Sequence, residues 1–566
     1  MDVMRADSAS GDETISRRDR ALTAGIFLLI AAAPFAPDWP RLLTERPVPM
    51  FPLACALAIA SASGLFIPAG RRRWWMWIAA TPYLAFAAIY LLTLFVFINE
   101  ASAWIFATLV AWPIMTTALA KSGRLRAAWL WHLACTVIGM GLVARHAFDA
   151  AGAFVVVGLV YVAVVLVPVS RPRVLAAIGP NWWQFHAFTV FFYVAAYLLH
   201  QGVVPGAAER VATQPGVRVL AAFSGKDRLA RRVGDDIMMA IPIAGGAILG
   251  PHDPEKNLRR VRTDAAGKPE VESILLGHRT GDNAVPHPAE PGHWFLGAPN
   301  RVIEIREEPF DLVRSIDVPG GLVNFVRDAG PERGLVVSRD NGRSVVRVDP
   351  TGGELHESAR LGAWRRIFDV AYDAATDRFI AVCVDPSGTA LLVGPADSMI
   401  VSREVRVPGT FGFLGDIDAA GRRFFLASFH TGEVVAVDLD TYEIRDRLYV
   451  GGTPRNATFD ARRRLLYVSD YFRGRIVVVR PDTREIVAAV ETGPRPRQAT
   501  LSQTGEALAI RSATGIISID VERMLANGRP GPVREAPWCR GFQSRLNVMA
   551  IRHLMPAFVA MRSMGE

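Results

Sequence analysis

The sequence predicts two parts of different class: an all-α polytopic membrane bundle of about seven spans, then an all-β propeller of seven blades. Three observations predict this. Residues 21–200 are overwhelmingly apolar and aromatic, whereas residues 205–535 are polar, Arg-rich and turn-rich. The first stretch divides into runs long enough to cross roughly 30 Å of hydrocarbon. In the second, the motif VGGTPRNATFD at Val450 returns as TGPRPRQATLS at Thr492, an offset of 42 residues. A period of forty-odd residues holding four short strands marks a propeller blade.

Residues 1–20 are polar and end in Arg17, Arg18 and Arg20, which reads as a cytoplasmic tail. The expected spans cover about 21–37, 48–68, 74–98, 103–120, 127–145, 151–169 and 182–201, with Trp39, Trp74, Trp75, Trp104, Trp182 and Trp183 near their ends. Interfacial tryptophans are usual there. Four basic groups (Arg17 to Arg20, Arg71 to Arg73, Lys121 to Arg126, Arg171 and Arg173) fall on one face. The positive-inside rule then makes the N-terminus cytoplasmic and exports everything after Gln201. The expectation is a bacterial inner-membrane protein with a periplasmic propeller.

Length and composition agree with more than one domain: 566 residues, 51% hydrophobic, with 63 Lys+Arg against 54 Asp+Glu for a net charge of +9. The arginines are scattered rather than clustered, so no nucleic-acid partner is expected. Four cysteines make no disulfide framework. Cys55 and Cys135 fall in expected spans; Cys383 and Cys539 pair or stay as free thiols.

The best-formed repeat is LLYVSD, then IVVV, then a Pro481-Asp482-Thr483 turn, then Ile486 to Val490, then Gly493-Pro494. Three β-branched-rich runs separated by turn residues describe an antiparallel meander. This unit resembles the bacterial YVTN-type β-propeller repeat, a relative of NHL and WD40 blades. Leu466, Tyr467, Val468 and Ser469 stand in its signature, Ser469 where that family usually has Thr. The resemblance implies a propeller used mostly for binding or scaffolding, and in some members for catalysis.

Walking back gives blade five from Val407, blade four from Leu361, blade three from Val318, an irregular blade two after the loop 277–292, and blade one from Val217. Beyond blade six only three strands remain. Residues 209–213 offer the fourth, so that both ends of the domain complete one blade and leave no open edge. Six blades, or eight if 263–292 hides another, are the alternatives. The propeller is thus expected over 207–535, with a helical tail over 536–566.

The turn before each innermost strand sits at the channel mouth. Arg218, Arg365, Arg366, Arg455 and Arg497 fall there, beside Asn324, Asn456 and Gln498. Converging guanidiniums suit carboxylates, phosphates or an anionic polymer, which they bind bidentately. Against this stands pairing with Asp369, Asp416 and Asp460. A second candidate is haem b. His132 and His146 on span five, and His186 and His200 on span seven, are each 14 residues apart. That spacing returns to the same helix face about 21 Å along the axis, so His132/His186 and His146/His200 could ligate two b-type haems, a spacing that resembles the cytochrome b family; histidines also favour the two membrane interfaces, and no cofactor is the first expectation. A third is the loop bearing His278, Asp282, His287 and His293, which reads as an exposed loop with incidental histidines or as a zinc or copper site. No nucleophile elbow, P-loop or dinucleotide fingerprint is present. The preferred expectation is a binding, scaffold or sensor propeller for a partner protein or anionic ligand, with a membrane redox protein as the alternative. A lactonase-like hydrolase would need acidic metal ligands at the mouth.

Overall fold

The computed structural model describes scattered positions between 115 and 134, then 207–222, 237–251, 257–263 and, with short gaps, 269–536. The chain divides into two compact units, and the propeller lies wholly in the second. In the first unit, the described residues form helical turns on either side of Gly123, which adopts φ 78°.

The β-rich part is a propeller of antiparallel meanders. Blade 1 is Ile237–Ile243, Gly246–Pro251, Leu258–Thr263 and Pro269–Ile274; blade 2 is Ala284–Pro286, His293–Arg306 and Asp311–Leu322. The long strand of blade 2 doubles back at Pro299 and Asn300: Asn300 takes φ 58° and the Glu307 N–H donates to Gly292 O at 2.8 Å. Its two halves therefore serve as the two middle strands. Blade 3 is Val326–Asp328, Leu335–Arg339, Ser344–Val348 and Leu355–Glu357; blade 4 is Arg366–Asp373, Arg378–Asp385, Gly388–Pro395 and Arg403–Val407. Blade 5 is Gly412–Asp418, Arg423–Ser428, Glu433–Asp438 and Ile444–Tyr449; blade 6 is Pro454–Asp460, Leu465–Asp470, Arg475–Arg480 and Glu485–Glu491. A single parallel bridge, Leu414 to Asn456, joins these two into one sheet.

Blade 7 closes the ring from both ends: Ala499–Leu501, Ala507–Arg511 and Gly515–Asp520 are completed by Val217–Ala222. The closing strand is thus not 209–213, which falls at the helix Ala207–Ala212 and its turn. Alanine favours helix and the β-branched run VRVL favours strand, which sets the boundary between them. Gln214 fixes this connection, its amide donating to Glu491 O at 2.9 Å and accepting the Glu491 N–H at 2.8 Å. Gly531–Pro532 adds a fifth strand outside blade 6, pairing with Glu485 and Ile486.

The core explains why the strands read as unbroken apolar runs. Phe379 to Val384 are all fully buried. Phe379, Ala381 and Cys383 pack toward blade 3, and Ile380 and Val382 toward blade 5. Alternate side chains face opposite neighbours, so both faces must be apolar. Seven such clusters, one between each pair of adjacent blades, complete the circle. Cys383 is a free thiol in one of them, its pKa pushed up to about 11 mainly by burial.

The expected fold class is corrected in its helical half. The helices Ala207–Ala212 and Val521–Ala526 have six residues each, and no helix among the described residues is long and apolar enough to cross a membrane. Hydropathy measures how much apolar surface must be hidden, not what hides it. The expected spans fall outside the described residues except for scattered positions in 103–120 and 127–145, and so do the tail 1–20 and all of 536–566 but Ala536.

Two sets of polar ties hold neighbouring blades in register. At the turn after the first strand, Asp373 accepts two bonds from Arg422 of blade 5 (2.6 and 2.8 Å), and Asp418 is reached by Arg464 of blade 6. Around the channel, from blade 2 to blade 7, each first strand is latched to the next. Asn283 clasps the Val326 N–H and C=O, Arg327 donates to Val370 O, Asp369 accepts the Gly415 N–H, Asp416 the Phe459 N–H, and Asn456 the Ala499 N–H, all within 3.1 Å.

Three outcomes test the close packing and these ties. Gly452 takes φ 63°, and a Cβ on it would collide with the Asp470 carboxylate. Gly452→Ala should therefore cost about 2 kcal/mol or more in urea unfolding. Burial would raise the Asp373 pKa, but Arg422 and Thr376 outweigh it and hold the group below its ordinary value. Arg422→Ala should cost about 1–3 kcal/mol at neutral pH, a difference that fades as acid protonates Asp373 below about pH 4. Asp369 behaves oppositely: burial, opposed by Arg327, pushes it up to about 6. The native state then holds more protons than the unfolded state between about pH 4 and 6, so Asp369 withdraws stability as pH rises through that window. Urea midpoints across pH should show this slope in the wild type and not in Asp369→Asn.

Candidate functional site

The first strands contact one another and form the inner wall. They run parallel, so their starting ends gather at one mouth of the channel. There the pairing of three consecutive blades is interrupted by a bulge: between Ile367 and Asp369, between Gly412 and Gly415, and between Pro454 and Asn456. A bulge inserts a residue that the partner strand does not match, and so re-aims its side chain. The inserted residues include Phe368, Phe413 and Arg455.

These three converge on one cluster with Phe429 and Tyr471, which lie in the turns after the second strands of blades 5 and 6. Phe368 and Phe413 stand 5.1 Å apart between centroids, Phe413 and Phe429 5.4 Å, Phe429 and Tyr471 5.7 Å. Phe368 and Phe429 are buried; Phe413 and Tyr471 are partly exposed. The Arg455 guanidinium lies over both of the latter rings, 5.0 Å from Phe413 and 5.3 Å from Tyr471. Such stacking favours the cation by about 0.5–2 kcal/mol per ring and holds the planar fork in one orientation.

The residues expected at the mouth divide. Arg455 is central to it. Arg366 and Arg497 stand beside the starts of their strands, half-exposed; the Arg366 Nη1 donates to Arg365 O at 2.9 Å and the Arg497 N–H to Arg511 O at 2.7 Å. Arg365 is engaged by Glu404 at 2.8 Å, with Asp385 at 3.7 Å. Arg218 is elsewhere: it sits exposed on the closing strand, paired with Ser518 at the outer edge of blade 7. A turn before a strand lies at the mouth only when that strand is the innermost, and Val217–Ala222 is the outermost.

Asn456 is a latch rather than a free ligand group. Gln498 and Asn324 are 7% and 2% exposed, each with a side-chain oxygen that has no hydrogen-bond partner among the described residues. The aspartates set against the arginines pair with others: Asp369 with Arg327 at 3.1 Å and Asp460 with Arg463 at 2.8 Å, while Asp416 accepts backbone N–H groups. The four histidines proposed for haem, His132, His146, His186 and His200, lie outside the described residues.

In the histidine loop, the buried His293 bonds Glu304 at 2.7 Å, with Glu290 at 3.3 Å. His287 Nδ1 accepts the N–H groups of Ala289 and Glu290 and so ties the turn. Glu290, His293 and Glu304 offer three ligand atoms within 4.8 Å of one another. Arg314 binds the second oxygen of Glu304, so that carboxylate ties the histidine to an arginine. His278 Nδ1 lies 3.1 Å from Arg279 O, in its own turn.

The sequence reading missed the bulged aromatics and the latches. The latter carried a signal: Asn283, Arg327, Asp416 and Asn456 are polar residues in apolar first strands, and each lies 43 residues from its partner, one blade period.

No family model matches the sequence, and no curated protein matches it. Among solved structures, the chain is similar to the WD40 beta propeller domain of Doa1, with a TM-score of 0.42 and 9% identity over 54% of this chain and 97% of that one.

Proposed function

We propose that the propeller is a binding module that captures an acidic segment of a partner protein at the mouth built by Phe368, Phe413, Arg455, Phe429 and Tyr471. The observation that carries this reading is Arg455, delivered by a bulge and stacked on Phe413 and Tyr471. The rings under the guanidinium hold its plane in one orientation and shed water when a partner docks, which strengthens its bond to a carboxylate. Arg366 and Arg497 extend the positive rim. Partly exposed aromatics beside an arginine are also the composition of interface hot spots. The likeness of blade 6 to YVTN-type repeats, mostly binding and scaffold modules, supports the same reading.

The test uses a fluorescent Glu-rich peptide containing one aromatic residue, with its Gln counterpart as control, titrated with the full-length chain by anisotropy. The Glu peptide should bind at least about tenfold more tightly than the Gln peptide, and less so at high salt. Arg455→Ala should remove most of that preference, and Arg455→Lys should restore only part, because Lys keeps the charge without the planar fork. Unchanged affinity in the Arg455→Ala, Arg497→Ala double variant sinks the proposal.

A further inference from the structure

At the other end of the channel, where the first strands finish, a groove of about 850 Å³ crosses the ring-closing seam. Small-molecule sites commonly occupy about 300–1,000 Å³. Its walls come from the closing strand, from the hairpin turns after the first strands of blades 1 and 7, and from Glu307 of blade 2.

Two charges in it are unspent. Arg218 is exposed, and its guanidinium has no hydrogen bond or ion pair among the described residues. Glu506 is exposed too, and only its backbone is engaged: its N–H donates to Ser502 Oγ at 3.1 Å and its carbonyl accepts the Val521 N–H at 2.9 Å. The other charged lining groups have partners already, Arg523 with its Nε 3.7 Å from Asp520 Oδ2. Glu307 accepts the Trp294 indole N–H at 2.7 Å, and Asp520 accepts the Arg523 backbone N–H at 3.0 Å.

Both signs of charge line one cleft, so a simple anion meets the carboxylates and a simple cation meets the guanidiniums. The lining contains no aromatic ring on which a base or sugar could stack. We propose that this groove binds a zwitterionic ligand of the short-peptide class, its carboxylate on Arg218 and its ammonium on Glu506. Because the groove joins the closing strand to blades 1 and 2, such a ligand also fastens the ring, and its binding reads out as added stability. The inference is independent of the function proposed for the mouth.

The experiment follows the Tm of the full-length chain with Ala-Ala dipeptide, and separately with its N-acetylated and C-amidated forms, each of which keeps one charge. Ala-Ala should raise the Tm in a saturable way, and each blocked form should need at least about tenfold higher concentration for the same rise. Arg218→Ala and Glu506→Gln, both at exposed positions, should each weaken the Ala-Ala effect by a similar factor. The proposal is overturned if Ala-Ala leaves the Tm unchanged at saturating concentration, if a blocked form acts as well as the free dipeptide, or if both variants respond like the wild type. The blocked peptides test the wild-type chain itself, so a poorly folding variant does not leave the question open.

Discussion

Every blade in this propeller depends on having an apolar neighbour on each side. A strand such as Arg378–Asp385 sends alternate side chains into two different cores, and neither core exists without the adjoining sheet. Dispersion and burial are therefore collective around the ring. That constraint sets the closing strand, since an unpaired third strand in blade 7 would leave both a wet apolar face and an open edge. It also explains the polar ties. Apolar packing between sheets is non-directional, and side-chain bonds such as Asp416 to Phe459 and Arg422 to Asp373 fix the angle and height of each blade against the next.

Several arginines serve in ties of this kind. Arg327, Arg422, Arg463 and Arg464 join elements across or along the ring, each to a carboxylate. What remains at the mouth is distinguished by how it is held. Arg455 lies over two aromatic rings, and bulges in three successive blades bring those groups together.

Parts of this were legible in the sequence because they depend on local chemistry. The meander of blade 6 follows from Leu465–Asp470, Arg475–Arg480 and Glu485–Glu491 and the turns between them. The shared blade was legible as well, from three strands left over at one end of the domain. Its fourth strand was misplaced by a few residues because Gly216 divides a helix from a strand, and the reason lies in three dimensions. Gly216 takes φ 76° and a Cβ on it would stand 2.8 Å from Asp520 O, at the far end of the domain. The bulges left no trace, since Phe368 and Phe413 read like any core aromatic until the pairing register is known. Arg218 and Arg455 look alike as arginines near turns; only sheet order separates the outermost strand from the innermost. Hydropathy in the first two hundred residues measured a need for burial and could not by itself supply a fold.

The two straps of the domain have a mechanical consequence. Gln214, just ahead of the closing strand, grips Glu491, while Gly531–Pro532, just beyond the last blade, grips Glu485 and Ile486. The chain therefore enters and leaves the ring beside a single strand, the rim of blade 6. Tension between the segments that precede and follow the domain meets that strand first, with the two grips set at opposite ends of its seven residues. Beyond it the load passes to blade 7 through the closing strand, and the other five blades stand clear of that path.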